Sequence, residues 1–127
     1  MKIKRNIDIE ETIRAAIADN ITAYVRPLPA DFTVPSILIT QVGGSEADDI
    51  DTFEVTIDSR AGDEETALTN LRNAIGIIRH AAETQTTDLR YAAINTLASW
   101  GRDPVRPELA MCTARLRVVA HIETTEV

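Results

Sequence analysis

Ala110-Met111-Cys112-Thr113-Ala114-Arg115-Leu116-Arg117-Val118-Val119-Ala120-His121-Ile122 alternates with a period of two. Ala110, Cys112, Ala114, Leu116, Val118, Ala120 and Ile122 share one face; Met111, Thr113, Arg115, Arg117, Val119 and His121 share the other. Successive side chains of a strand point to opposite sides, so this is a long strand with one buried face and one wet or partner-facing face. Phe53, Val55 and Ile57 alternate with Glu54, Thr56 and Asp58 in the same way, and a slip by one residue would bury the acids. Two half-buried strands of this kind predict a mainly antiparallel sheet with helices packed on one face.

The segments around them fill in that architecture. Asp8 and Glu11 form a capping box ahead of Ile9, Ile13, Ala16 and Ile17, which predicts a helix ending near Asn20. Ile21 to Val25 reads as a strand that must stop at Pro27, and the three prolines in 27–35 predict an extended surface loop. Ser36 to Val42 is apolar on both faces at its start and reads as a central strand broken by Gly43-Gly44. The acidic run 45–51 suits an exposed loop or hairpin tip. Asp63 opens the longest helix, reaching about Ala82, with Leu68, Leu71, Ile75 and Ile78 on one stripe and Gly76 as a point of close backbone approach. Leu89 to Trp100 alternates weakly and reads as a strand, followed by a second proline-punctuated loop over 101–107. The expected order is α-β-β-β-α-β-β in a single α+β domain spanning 1–127, its consecutive strands pairing antiparallel. No internal repeat or long linker divides it.

Composition narrows the function classes. The 127 residues are 44% hydrophobic and 26% charged, ordinary for a folded domain, and no apolar run approaches the ~20 residues of a spanning helix. The start turns acidic before any apolar stretch and does not read as a signal peptide, so a soluble protein kept in a reducing cytosol is expected. A net charge of −7 and an aromatic share of 4% disfavour nucleic-acid binding. One cysteine, Cys112, excludes a disulfide framework, and Cys112 and His121 fall on opposite faces of one strand, so no metal site is expected. Asp48, Asp49 and Asp51 lack the spacing of an EF-hand loop. Gly43-Gly44 leads into a strand rather than a helix and makes no phosphate cradle. Ser45, Ser59, Ser99 and Cys112 carry no nucleophile motif, so neither catalytic residues nor a cofactor is expected. Arg102, Arg106, Arg115 and Arg117 are the one basic concentration near the C-terminal end. Cross-strand pairing with acids such as Glu54 and Asp58 would account for the last two. The functional reading sets these arginines against Asp48, Asp49 and Asp51 of a neighbouring subunit, a head-to-tail contact that closes into a ring.

Taken together, the first helix, Ala23-Tyr24-Val25, the proline loop, Pro35-Ser36-Ile37-Leu38-Ile39 running into Val42-Gly43-Gly44, Phe53 to Asp58, Ala61-Gly62-Asp63 and Asp103-Pro104 form a pattern. With the alternating last strand, it resembles the tail-terminator (tail-completion) proteins of long-tailed bacteriophages, a family that includes minor capsid and head–tail joining proteins. The likeness spans nearly the whole chain and is weakest over 84–100. It implies a virion structural protein, assembled in the bacterial cytoplasm, that caps the tail tube as a hexameric ring and ends its polymerisation. Its partners would be itself, the tail-tube protein and a head-completion or connector protein. DNA would pass through the lumen without specific binding, which the charge of six such chains would favour. Other readings remain open at this point: a different head–tail connector, or a dimeric small-ligand or regulatory α+β module.

Overall fold

A computed structural model describes residues 1–127, the Leu97 side chain excepted. The order is β1 (Lys2–Arg5), α1 (Ile9–Ile17), β2 (Ala23–Val25), β3 (Ser36–Ala47), β4 (Ile50–Ala61), α2 (Glu64–Thr84), β5 (Leu89–Arg102), β6 (Ala110–His121) and β7 (Glu123–Glu126). Five strands form one sheet in the order β2-β3-β4-β6-β5, and both helices pack on one of its faces, as the periodicities predict.

The core lies between that face and the helices. Ile37 and Ile39 of β3, Val55 and Ile57 of β4, and Cys112, Leu116 and Val118 of β6 are buried there against Ile9, Ile13 and Ile17 of α1 and Leu71 and Ile78 of α2. Each helix starts where an aspartate can accept a free N–H: Asp8 takes that of Glu11, and Asp63 takes that of Thr66. The one buried hydroxyl in this layer is satisfied, since Ser59 donates to the Ala67 carbonyl at 2.8 Å. Glu10 ties α1 to the sheet by accepting from the Gln41 amide at 2.9 Å and from Arg26 at 2.6 Å.

Several expectations need correction. Two strands were absent from the predicted order: β1 and β7 pair antiparallel as a separate ribbon, joined in part by the opposite charges of Arg5 and Glu123. These short polar segments carry no periodicity, so nothing local announces them. β2 runs parallel to β3 rather than antiparallel, because the connection from Arg26 to Pro35 swings the chain back before β3 begins. Gly43-Gly44 does not break β3; the register shifts between Gln41 and Gly43 and pairing resumes up to Ala47. A Cβ on Gly44 would come within 2.8 Å of the Thr52 carbonyl oxygen, so glycine there permits strand contact instead of ending it. The run 45–51 is therefore mostly strand, turning at Asp48-Asp49, whose φ angles of 54° and 63° are those of a tight hairpin turn. Gly76 marks no close approach, since a Cβ there would meet nothing within 4 Å. α1 ends at Ile17, short of Asn20, and β6 ends at His121. The 89–102 strand is present, and its weak alternation has a cause: pairing with β6 slips at three places along its length.

Candidate functional site

The acidic and basic residues singled out from the sequence lie at separate places on the sheet. Asp48 and Asp49 form the exposed tip of the β3–β4 hairpin, where Asp49 meets Lys4 at 3.0 Å and its carbonyl accepts from the Ile122 amide. Asp51 is not part of that surface. It is 2% exposed, on the helix-bearing side of β4, and accepts from Asn6 Nδ2 at 2.7 Å.

The four arginines do not converge. Arg102 ends β5, exposed, and Arg106 lies in the following loop, half-buried, with its guanidinium 4.7 Å from the Phe32 ring centre. Arg115 and Arg117 project from the helix-free face of β6, roughly 20 Å along the strand from Ala110, the partner of Arg102. Arg117 pairs with Glu54 across the strands at 3.2 Å, the cross-strand alternative. Asp58 instead accepts from the Thr113 hydroxyl at 2.6 Å, leaving Arg115 without an ion pair among the described residues. Arg102 likewise makes none there.

Two polar clusters escaped the sequence reading. At the end of the sheet farthest from the hairpin tip, Arg60 donates to Asp103 at 2.7 Å, with both side chains more than nine-tenths buried. Asp103 also accepts the amides of Val105 and Arg106, so it organises the second proline loop, while the Arg60 and Arg106 guanidiniums lie 5.9 and 4.7 Å from the ring centre of Phe32 in the first. Burial alone would raise the Asp103 pKa; the Arg106 amide, the Arg60 guanidinium and the Val105 amide outweigh it and hold the carboxyl below its usual range. Asp103-Pro104 signals a turn in sequence, but nothing local ties it to Arg60. The second cluster is a cleft of about 400 Å³ beside the hairpin, where Asn6 Nδ2 bridges Glu46 and Asp51.

Chemistry elsewhere is sparse. Burial pushes the Cys112 thiol up, away from thiolate character, and both histidines are exposed. Among the described residues no group of three or more His, Cys, Asp or Glu side chains could hold a metal, and no helix is long and apolar enough to cross a membrane. A groove of about 480 Å³ runs between α2 and β5, lined by Leu68, Ile75, Ile94 and Ala98 with Arg72 and Arg79 beside them. No protein-family model matches the chain, and no curated protein is significantly similar to it in sequence.

Proposed function

We propose that the chain is a structural protein that assembles head-to-tail into a ring, in the manner of a phage tail terminator. The observation that supports this reading most is the distribution of exposed charge. Asp48 stands at one end of β4, and Arg102 beyond the other, the strand itself extending roughly 36 Å from Ile50 to Ala61. A surface with opposite signs at opposite ends can meet a rotated copy head-to-tail, and such a heterologous contact makes a ring where the rotation closes. The sheet adds to this, since β5 and β2 leave both of its edges uncovered by further strands. On this reading the ring would end tube growth and offer a second face to the head, with tube and connector proteins as its partners.

Light scattering during gel filtration, over a wide concentration range and at low and high salt, tests assembly. A ring of six 13.9 kDa chains has a mass of about 83 kDa, and its charged contacts weaken as salt screens them. Asp48→Arg lowers the mass toward the monomer, and combining it with Arg102→Asp restores the larger species if the two groups meet across the contact. A monomer under every condition removes self-assembly through these ends. A salt-insensitive dimer favours instead a ligand-binding module using the apolar groove between α2 and β5.

A further inference from the structure

β5 ends differently from the way it begins. Leu89 is fully buried, whereas Ala98, Ser99, Trp100, Gly101 and Arg102 are all exposed, on both faces of the strand. Trp100 is the chain's only tryptophan, and it is 49% exposed although an indole gains much by leaving water. Pairing is regular here. Trp100 lies opposite Cys112 and Arg102 opposite Ala110, so both belong to the helix-bearing side, two residues apart on an edge strand. Arg102 makes no ion pair among the described residues. Between Leu89 and Ser99 the pairing slips at three places, and such bulges blunt an edge against strand addition. What the end of β5 offers is therefore side chains, an indole beside a free guanidinium. Tryptophan and arginine are the types that most often dominate the energy of a protein contact.

The hairpin tip has the matching character. Every residue from Gly44 to Ile50 is exposed. Glu46 is held by Asn6 and Asp49 by Lys4, which leaves Asp48 as the acid of the tip without an ion pair among the described residues. Ala47 precedes it, and Ile50, 40% exposed, follows two residues on. We propose that Trp100 is the apolar anchor of the head-to-tail contact, seated on Ala47 and Ile50 of a second copy while Arg102 meets that copy's Asp48. This rests on the ring reading above and adds to it an apolar centre. The centre is needed because an ion pair left in water contributes little by itself, and a contact that excludes water around Trp100 shields the pair beside it.

Tryptophan emission and light scattering, read on the same samples of the full chain across a wide concentration range, test the anchor. As the mass rises above that of one chain, the emission moves to shorter wavelength and acrylamide quenches it less. Trp100→Ala raises the concentration of half-assembly at least about thirtyfold, and Trp100→Phe recovers much of that loss. Ile50→Ala weakens assembly alone but adds little on top of Trp100→Ala, since both remove one contact. Assembly with unchanged emission, native-like assembly of Trp100→Ala, or full additivity of the two substitutions overturns the anchor and leaves the ring reading standing. A monomer at every concentration overturns both. The emission of the native chain decides the matter even where a substitution disturbs the fold.

Discussion

At the hairpin tip Lys4 meets Asp49 with both side chains about two-thirds exposed, whereas at the far end of the sheet Arg60 meets Asp103 with both almost wholly buried. The pairs have similar lengths, 3.0 and 2.7 Å, yet their surroundings give them different work. In water the attraction is screened and ordering two long side chains offsets most of it. Out of water, each charge depends on its partner, because the unpaired ion would keep its desolvation cost. Removing one member of the buried pair alone would therefore strand the other charge at the end of β4, where the two proline loops meet. The tip pair can be lost and leave the turn, which rests on strand pairing and on left-handed backbone at Asp48 and Asp49.

The largest effect should come from Asp103→Ala. It strands Arg60 and removes the acceptor for two loop amides, so we expect a loss of about 3–5 kcal/mol in urea denaturation. Replacing both partners with apolar residues, Arg60→Met with Asp103→Leu, should recover much of that loss; failure to recover would mean that the loop amides matter more than the charge. Acidification probes the same site. An acid whose folded pKa is depressed stabilises the fold above its ordinary pKa, and that contribution disappears as pH falls through the folded value. The urea midpoint of the native chain should therefore fall more steeply than that of Asp103→Asn between about pH 5 and pH 2.

Smaller effects separate the tip end. Gly44→Ala drives a methyl against the Thr52 carbonyl and should cost about 1–3 kcal/mol, placing the sensitivity of the hairpin in its backbone. Gly76→Ala, at neither end, should stabilise by about 0.5–1 kcal/mol, because the added methyl meets only open space on a helix. Lys4→Ala should change stability by less than about 0.5 kcal/mol; a loss comparable to that of Asp103→Ala would erase the contrast between the two ends.

The elements that alternate cleanly were legible in the sequence because burial wrote their periodicity. β4 and β6 each have one core face and one polar face, and α1 and α2 each show a single apolar stripe. β1 and β7 were not, since charged segments pairing across the whole length of the chain leave no local pattern. The direction of β2 depends on the path of a proline loop, which residue identity does not determine. Of the candidate interface residues, Asp51 is the instructive one. It was grouped with Asp48 and Asp49 by charge, but it shares parity with Phe53, Val55 and Ile57, and that parity points it inward. The arginines were grouped by closeness in sequence, although an extended strand separates Arg102 from Arg117 much as it does its own ends.

The single thiol, Cys112, lies at zero exposure in the middle of the layer between sheet and helices, with its pKa raised. A disulfide-exchange reagent can reach it only when that layer opens, so the native chain carries an internal clock. With excess reagent the rate of labelling reports how often the core comes apart, and with scarce reagent it reports how large a fraction is open at equilibrium. Applied to a chain altered at either end of the sheet, the same thiol would show whether a disturbance stays local or reaches the centre.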